Sequence, residues 1–152
     1  MRREQFTLDV RGIDWVEHDG DPETPTVTIE FDGPGELLDE RLVGPDGDLL
    51  NARGTDVAFR LRSEESGVVS VTDRLTGDFV FELNADAEDV FRFVRAARAY
   101  GEESGVDDGK FRVHLLVDGE ELVTYEKSTF LVYDSEGTLL RERSLIPSGV
   151  EL

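Results

Sequence analysis

Residues 111–125 read Phe-Arg-Val-His-Leu-Leu-Val-Asp-Gly-Glu-Glu-Leu-Val-Thr-Tyr, and this stretch decides the fold class. Phe111, Val113 and Leu115 fall on one face of an extended chain, and Arg112, His114 and Leu116 on the other. Period-two alternation is the pattern of a strand with one oily and one wetter face. Asp118-Gly119 then supplies hairpin chemistry. A two-residue turn would pair Val117 with Glu120. A three-residue loop with Gly119 in the left-handed region pairs Leu116 with Glu120, Phe111 with Tyr125 and Val113 with Val123. Aromatic and β-branched cross-strand pairs favour the second register, and it is the one expected.

The alternation recurs outward from this hairpin. Phe6, Leu8 and Val10 share a face, as do Val27, Ile29 and Phe31, then Val57, Phe59 and Leu61, then Phe79, Phe81 and Leu83. Strands wetted on one side belong to antiparallel sheets. LVGPDGDLL (42–50) and LVYDSEGTLL (131–140) each set turn residues between apolar pairs and read as two similar hairpins. One segment changes period. DAEDVFRFVRAARAYGEE (86–103) brings Val90, Phe93, Val94, Ala97 and Tyr100 onto one helical face. Asp86 suits the N-cap, and Gly101 or Gly105 the end. Residues 104–109 follow as a polar loop, and the acidic, proline-bounded 17–25 as a mobile one. The fold expected is mainly β (α+β): an antiparallel β-sandwich or barrel-like sheet of about ten strands, with one amphipathic helix near 86–103, in a single globular domain over 1–152.

Charge says more about surroundings than about chemistry. Asp and Glu number 35 against 16 Lys and Arg, a formal net charge of -19, and the only lysines are Lys110 and Lys127. Arginine holds a carboxylate through a planar two-bond fork that lysine lacks. A carboxylate-covered, arginine-braced surface suits a very salty cytoplasm, where self-repulsion is screened. The melting temperature is therefore expected to rise between dilute buffer and molar KCl; an unchanged value would count against this reading. With no Cys, disulfides, thiolate catalysis and zinc–thiolate sites are excluded. The N-terminal residues carry no apolar run of signal-peptide type, no stretch has the length of a membrane span, and the charge repels nucleic acid.

Candidates for chemistry are few. There is no glycine-rich phosphate loop, serine elbow or paired-histidine metal helix. His18 reads as a solvated loop residue. His114 shares its face with Arg112, which does not make it a base. Asp19, Asp21, Glu23 and Glu30 have a faint calcium-loop spacing, but Thr24 stands where that turn needs Gly, and Pro22 and Pro25 interrupt it. No metal or cofactor is expected. Trp15, between Ile13 and Val16, reads as core. The most unusual pattern is Arg92, Arg95 and Arg98, a cationic stripe at every third residue. Arg92 can pair with Glu88 and Arg98 with Glu102, while Arg95 has no acid one turn away. A carboxylate elsewhere in the chain is the simpler partner for Arg95, and an acidic partner protein, a second subunit or a phosphate the functional one. Leu145, Ile146, Val150 and Leu152 give the C-terminus an oily character that either packs on the domain or docks a partner.

Four segments, MRREQFTLDV (1–10), TDRLTGDFVFELNADAEDV (72–90), KSTFLVYDSEG (127–137) and SLIPSGVEL (144–152), resemble a haloarchaeal protein family of unknown function. The resemblance spans nearly the whole chain, implies a halophilic, cytoplasmic setting and carries no functional residues with it. The sequence thus points to a non-catalytic protein-binding module, acting on a protein partner or a second copy of itself through Arg92, Arg95 and Arg98 or the C-terminal tail. The alternative is an enzyme or small-ligand-binding protein whose site gathers scattered strand-end Arg, His and carboxylate residues. An enclosed pocket around His114, Arg112 or Arg60 would favour it.

Overall fold

The computed structural model describes residues 2–18, 20–44, 47–103 and 109–147. Along the chain run β1 (Phe6–Arg11), α1 (Trp15–His18), β2 (Thr26–Phe31), α2 (Gly35–Leu42), β3 (Thr55–Leu61), β4 (Ser66–Asp73), β5 (Phe79–Asp86), α3 (Ala87–Glu103), β6 (Phe111–Val117), β7 (Glu120–Lys127) and β8 (Leu131–Tyr133). Short 3-10 turns occupy Arg3–Gln5, Ala52–Gly54 and Arg141–Arg143. The strands form two four-stranded sheets, ordered β1-β2-β6-β7 and β5-β4-β3-β8.

The fold is mainly β and sandwich-like, with inner faces set by the expected alternation except at Phe79, which does not share the buried face of Phe81 and Leu83: the β4–β5 ladder shifts at Val71/Thr72 and leaves Phe79 exposed and Val80 buried. Val27, Ile29 and Val113 of the first sheet and Val57 and Val69 of the second line one narrow gap, into which Val90 and Phe93 of α3 also reach. Phe6 of β1 stacks on Phe81 of β5 with ring centres 4.9 Å apart, and Arg3 reaches Glu82 at 3.3 Å, so the sheets meet along these two strands. The helix read from 86–103 begins one residue later, because the Asp86 carboxylate accepts from the Glu88 and Asp89 amides at 2.9 and 3.4 Å. It runs through Gly101 to Glu103, so Gly101 does not end it; Gly105 and most of the expected polar loop lie outside the described residues. Each of the buried Val90, Phe93 and Val94 contributes on the order of 1.5–3 kcal/mol by leaving water.

Four expectations are corrected. There are eight strands among the described residues, not ten, because the two look-alike hairpins close too early to become strand pairs. Val43 meets Leu49, and Tyr133 meets Leu139, through single bridges; in the first, Gly44 N donates to Asp48 O at 2.8 Å and Leu50 N to Leu42 O at 2.7 Å. The sheets are mixed: β2 pairs parallel to β6, and β3 parallel to β8, since these partners are brought together by long excursions of the chain rather than by turns. α3 is not alone. α1 covers the start of the expected mobile loop, and α2 buries Leu38 and Leu42, one helical turn apart.

The fourth correction is the hairpin register. Asp118 (φ 52°) and Gly119 (φ 81°) are both left-handed, the two-residue turn that matches strand twist. Val117 pairs with Glu120 and Leu116 with Glu121; an irregularity then shifts the ladder, so Leu115 meets Val123, Val113 meets Tyr125 and Phe111 meets Lys127. The extra residue turns Tyr125 and Lys127 inward. Tyr125 donates to Leu50 O at 2.7 Å, and burial pushes its phenol up to about 12. Lys127 Nζ donates to Ala52 O at 2.6 Å and to Thr55 O.

Candidate functional site: an arginine face on α3

The same helical register that buries Val90, Phe93, Val94 and Ala97 leaves Arg95 and Arg98 exposed and Phe91 and Arg92 half-buried. The three stripe arginines do three different things. Arg92 does not pair with Glu88. Its Nε and Nη2 donate to the two oxygens of Glu17 at 3.1 and 3.2 Å, and Nη2 also reaches Asp14 at 3.3 Å. The hydrogen bond to Glu17 is the main cause of its raised pKa. Arg92 therefore ties α1 to α3. Arg98 does not pair with Glu102; its Nη2 donates to Ser144 O at 2.7 Å and Glu142 O at 3.5 Å, tethering the segment after the 141–143 turn.

Arg95 is left over. Among the described residues no carboxylate lies within ion-pair distance of it and no acceptor receives its N–H groups. Beside it, the Arg143 guanidinium lies 4.5 Å over the ring of Phe91, and Phe91 meets the edge of buried Phe59 at 6.4 Å. An open groove of about 470 Å³ runs here, with Phe91, Arg92, Arg95, Arg143, Glu64 and Glu88 among its walls. The sequence singled out the stripe but not Phe91 or Arg143. Arg143 comes from a turn far along the chain, and no local pattern marks it.

The residues named for an enzymatic site are dispersed. His114 sits on the outer face of the first sheet, where its register neighbours are Thr28 and Thr124. Among the described residues its Nε2 has no hydrogen-bond partner; it lies 3.7 Å from Glu121 Oε1, which in turn accepts from the Thr124 hydroxyl. Arg112 reaches Glu126 at 3.3 Å and, with Lys110, holds that carboxyl below the usual range. Arg60 is on the other sheet and donates to Ser135 O at 3.0 Å. The gap between the sheets is walled by apolar side chains and measures about 10 Å³, at the limit for a single water, so it admits no substrate. Among the described residues there is no group of three metal-ligating side chains, and no helix long and apolar enough to cross a membrane. Trp15 is half-buried rather than core, its indole N–H donating to Gly12 O at 2.6 Å. Of the oily C-terminus, Leu145 is buried and pairs with Phe130; Val150 and Leu152 lie outside the described residues.

The fold and this groove define a two-sheet β domain with an arginine–phenylalanine surface. Residues 1–152 match the family of unknown function DUF5793, and the chain belongs to that family. No curated protein and no solved structure matches it.

Proposed function

We propose that the protein is a non-catalytic binding module of a halophilic cytoplasm, and that its α3 face receives an acidic segment of another protein. The observation carrying this reading is the unpaired Arg95 guanidinium in a chain with 35 acidic residues. In molar salt the screening length is about 3 Å, so long-range steering is lost and contact-range pairing decides recognition. A guanidinium fork suits a carboxylate at that range. The Phe91 ring holds the Arg143 guanidinium by a cation–π contact and so presents a second planar cation beside Arg95.

The test uses twelve-residue synthetic peptides rich in Asp and Glu, with lysine-rich and uncharged peptides as controls, titrated into isotope-labelled protein in molar KCl. Acidic peptides should move the amide resonances of α3 and of Arg141–Arg143. Combined Arg95→Glu and Arg143→Glu changes should weaken binding at least tenfold. Shifts that persist in that variant, or none at these residues, would remove the basis of the proposal.

A further inference from the structure

The described residues include five large hydrophobic side chains that are exposed, and they are not scattered. Leu37, Val43, Leu49, Leu75 and Phe79 all belong to α2, the bridge after it, or the β4–β5 turn and the residue that follows. Leu37 lies one helical turn before Arg41, Val43 bridges to Leu49, and Leu75 neighbours Thr76 in the turn. Between these elements lies an open groove of about 590 Å³ whose walls include Glu40, Arg41, Val43, Thr76, Asp78 and Phe79. Leu75 is 82% exposed and Phe79 55%. A concentration of apolar side chains on so charged a surface marks a contact site.

The charges around it name the occupant. Arg41 has one long bond, to Phe79 O at 3.4 Å. Asp73 is spent on the Leu75 and Thr76 amides. Glu40 and Asp78 have no ion-pair partner among the described residues. The patch therefore holds a cation and two acids around an apolar centre, each able to satisfy the other on a facing copy. A two-fold interface joins the same patch to itself, residue i to j and j to i, so charges inside it find partners only where both signs lie within one surface. We infer that the α2/β4–β5 surface is a self-association site, with Val43 and Phe79 near the two-fold axis and Arg41 of each copy against Asp78 of the other.

Sedimentation equilibrium of the full chain in molar KCl tests this. The wild-type chain should be a dimer whose affinity falls as KCl is withdrawn, because two copies of charge -19 then repel. Phe79→Asp should weaken the dimer at least tenfold. Leu75→Glu, at a side chain too exposed to affect folding, should also weaken it. Arg41→Asp and Asp78→Arg should each weaken it tenfold, and the two combined should restore it to within about threefold of wild type, the signature of a cross-copy pair. Arg95→Glu should leave the dimer unchanged, so this result and that for the α3 face fail independently. A wild-type chain monomeric at millimolar concentration would overturn the inference. So would a dimer indifferent to Phe79→Asp and Leu75→Glu, an exchanged pair no better than its single changes, or dissociation by Arg95→Glu.

Discussion

Replacing Phe93 with Ala should destabilise the protein by about 3–5 kcal/mol, the range for deleting a buried phenylalanine ring. Phe93 is 1% exposed and joins three parts of the structure. Its ring meets Phe111 of β6 edge-on at 5.3 Å and Phe130 at 5.9 Å, and those two meet each other at 5.8 Å. Edge-to-face pairs each add about 0.5–1.5 kcal/mol beyond area burial. The ring also borders the narrow gap between the sheets, so truncation enlarges a space already imperfectly filled. Urea unfolding in molar KCl measures the loss. Arg95→Ala is the internal control: exposed on the same helix and outside the α2/β4–β5 surface, it should stay within about 0.5 kcal/mol of wild type. A Phe93→Ala loss below about 1.5 kcal/mol would mean that α3 is not seated on the aromatic triangle.

Lys127→Met should cost about 2 kcal/mol, and Lys127→Arg should not repair it. Lys127 is 7% exposed, and its ammonium donates to the carbonyls of Ala52 and Thr55, on either side of the 52–54 turn. Burial, and secondarily the charge of Arg74, lower its pKa, while Asp56 opposes them. Methionine keeps the stem and removes the donors; the buried Thr55 carbonyl loses its lysine bond, at about 1–3 kcal/mol, and Ala52 O keeps only the 3.4 Å bond from the Thr55 hydroxyl. Relief of the desolvated charge offsets part of that. Arginine keeps the charge but brings a wider planar head into a slot shaped for an ammonium, and overpacking costs about 1–3 kcal/mol. The same unfolding assay decides. An arginine variant as stable as wild type would show that the slot does not select lysine. The slot supplies a physical reason for lysine at this position in a chain whose other cations, Lys110 apart, are arginines.

The hairpin shows how far local reading extends. Alternation put Phe111, Val113 and Leu115 on the inner face, and they are buried. Cross-strand preference chose the wrong register because it ranked the pairing of Tyr125 with Phe111 above the two-residue turn. Two successive left-handed residues fixed the two-residue loop, and one irregular residue then re-phased β7. No pairing score signalled that Lys127 would end inside, on carbonyls from β3 and the turn before it. On α3, helical spacing exposed the arginine stripe correctly, but i to i+4 logic misassigned Arg92 and Arg98. Their partners, Glu17 and the Ser144 carbonyl, are distant in sequence. The groove at Phe91 depends on Arg143 folding back over the helix, and the apolar patch depends on α2 arriving beside the β4–β5 turn.

By itself the sequence determined the inner and outer faces of the long strands, Phe79 at the start of β5 excepted, the position and cap of α3, and the acidic character of the surface. These follow from side-chain direction, which repeats every two residues in a strand and about every 3.6 in a helix, and from charge counting. Only the tertiary structure decided the two parallel ladders, the partners of the stripe arginines, the burial of Lys127 and the contents of both surface grooves. Periodicity fixes how an element is turned; which element lies beside it is settled by packing between segments far apart in the chain.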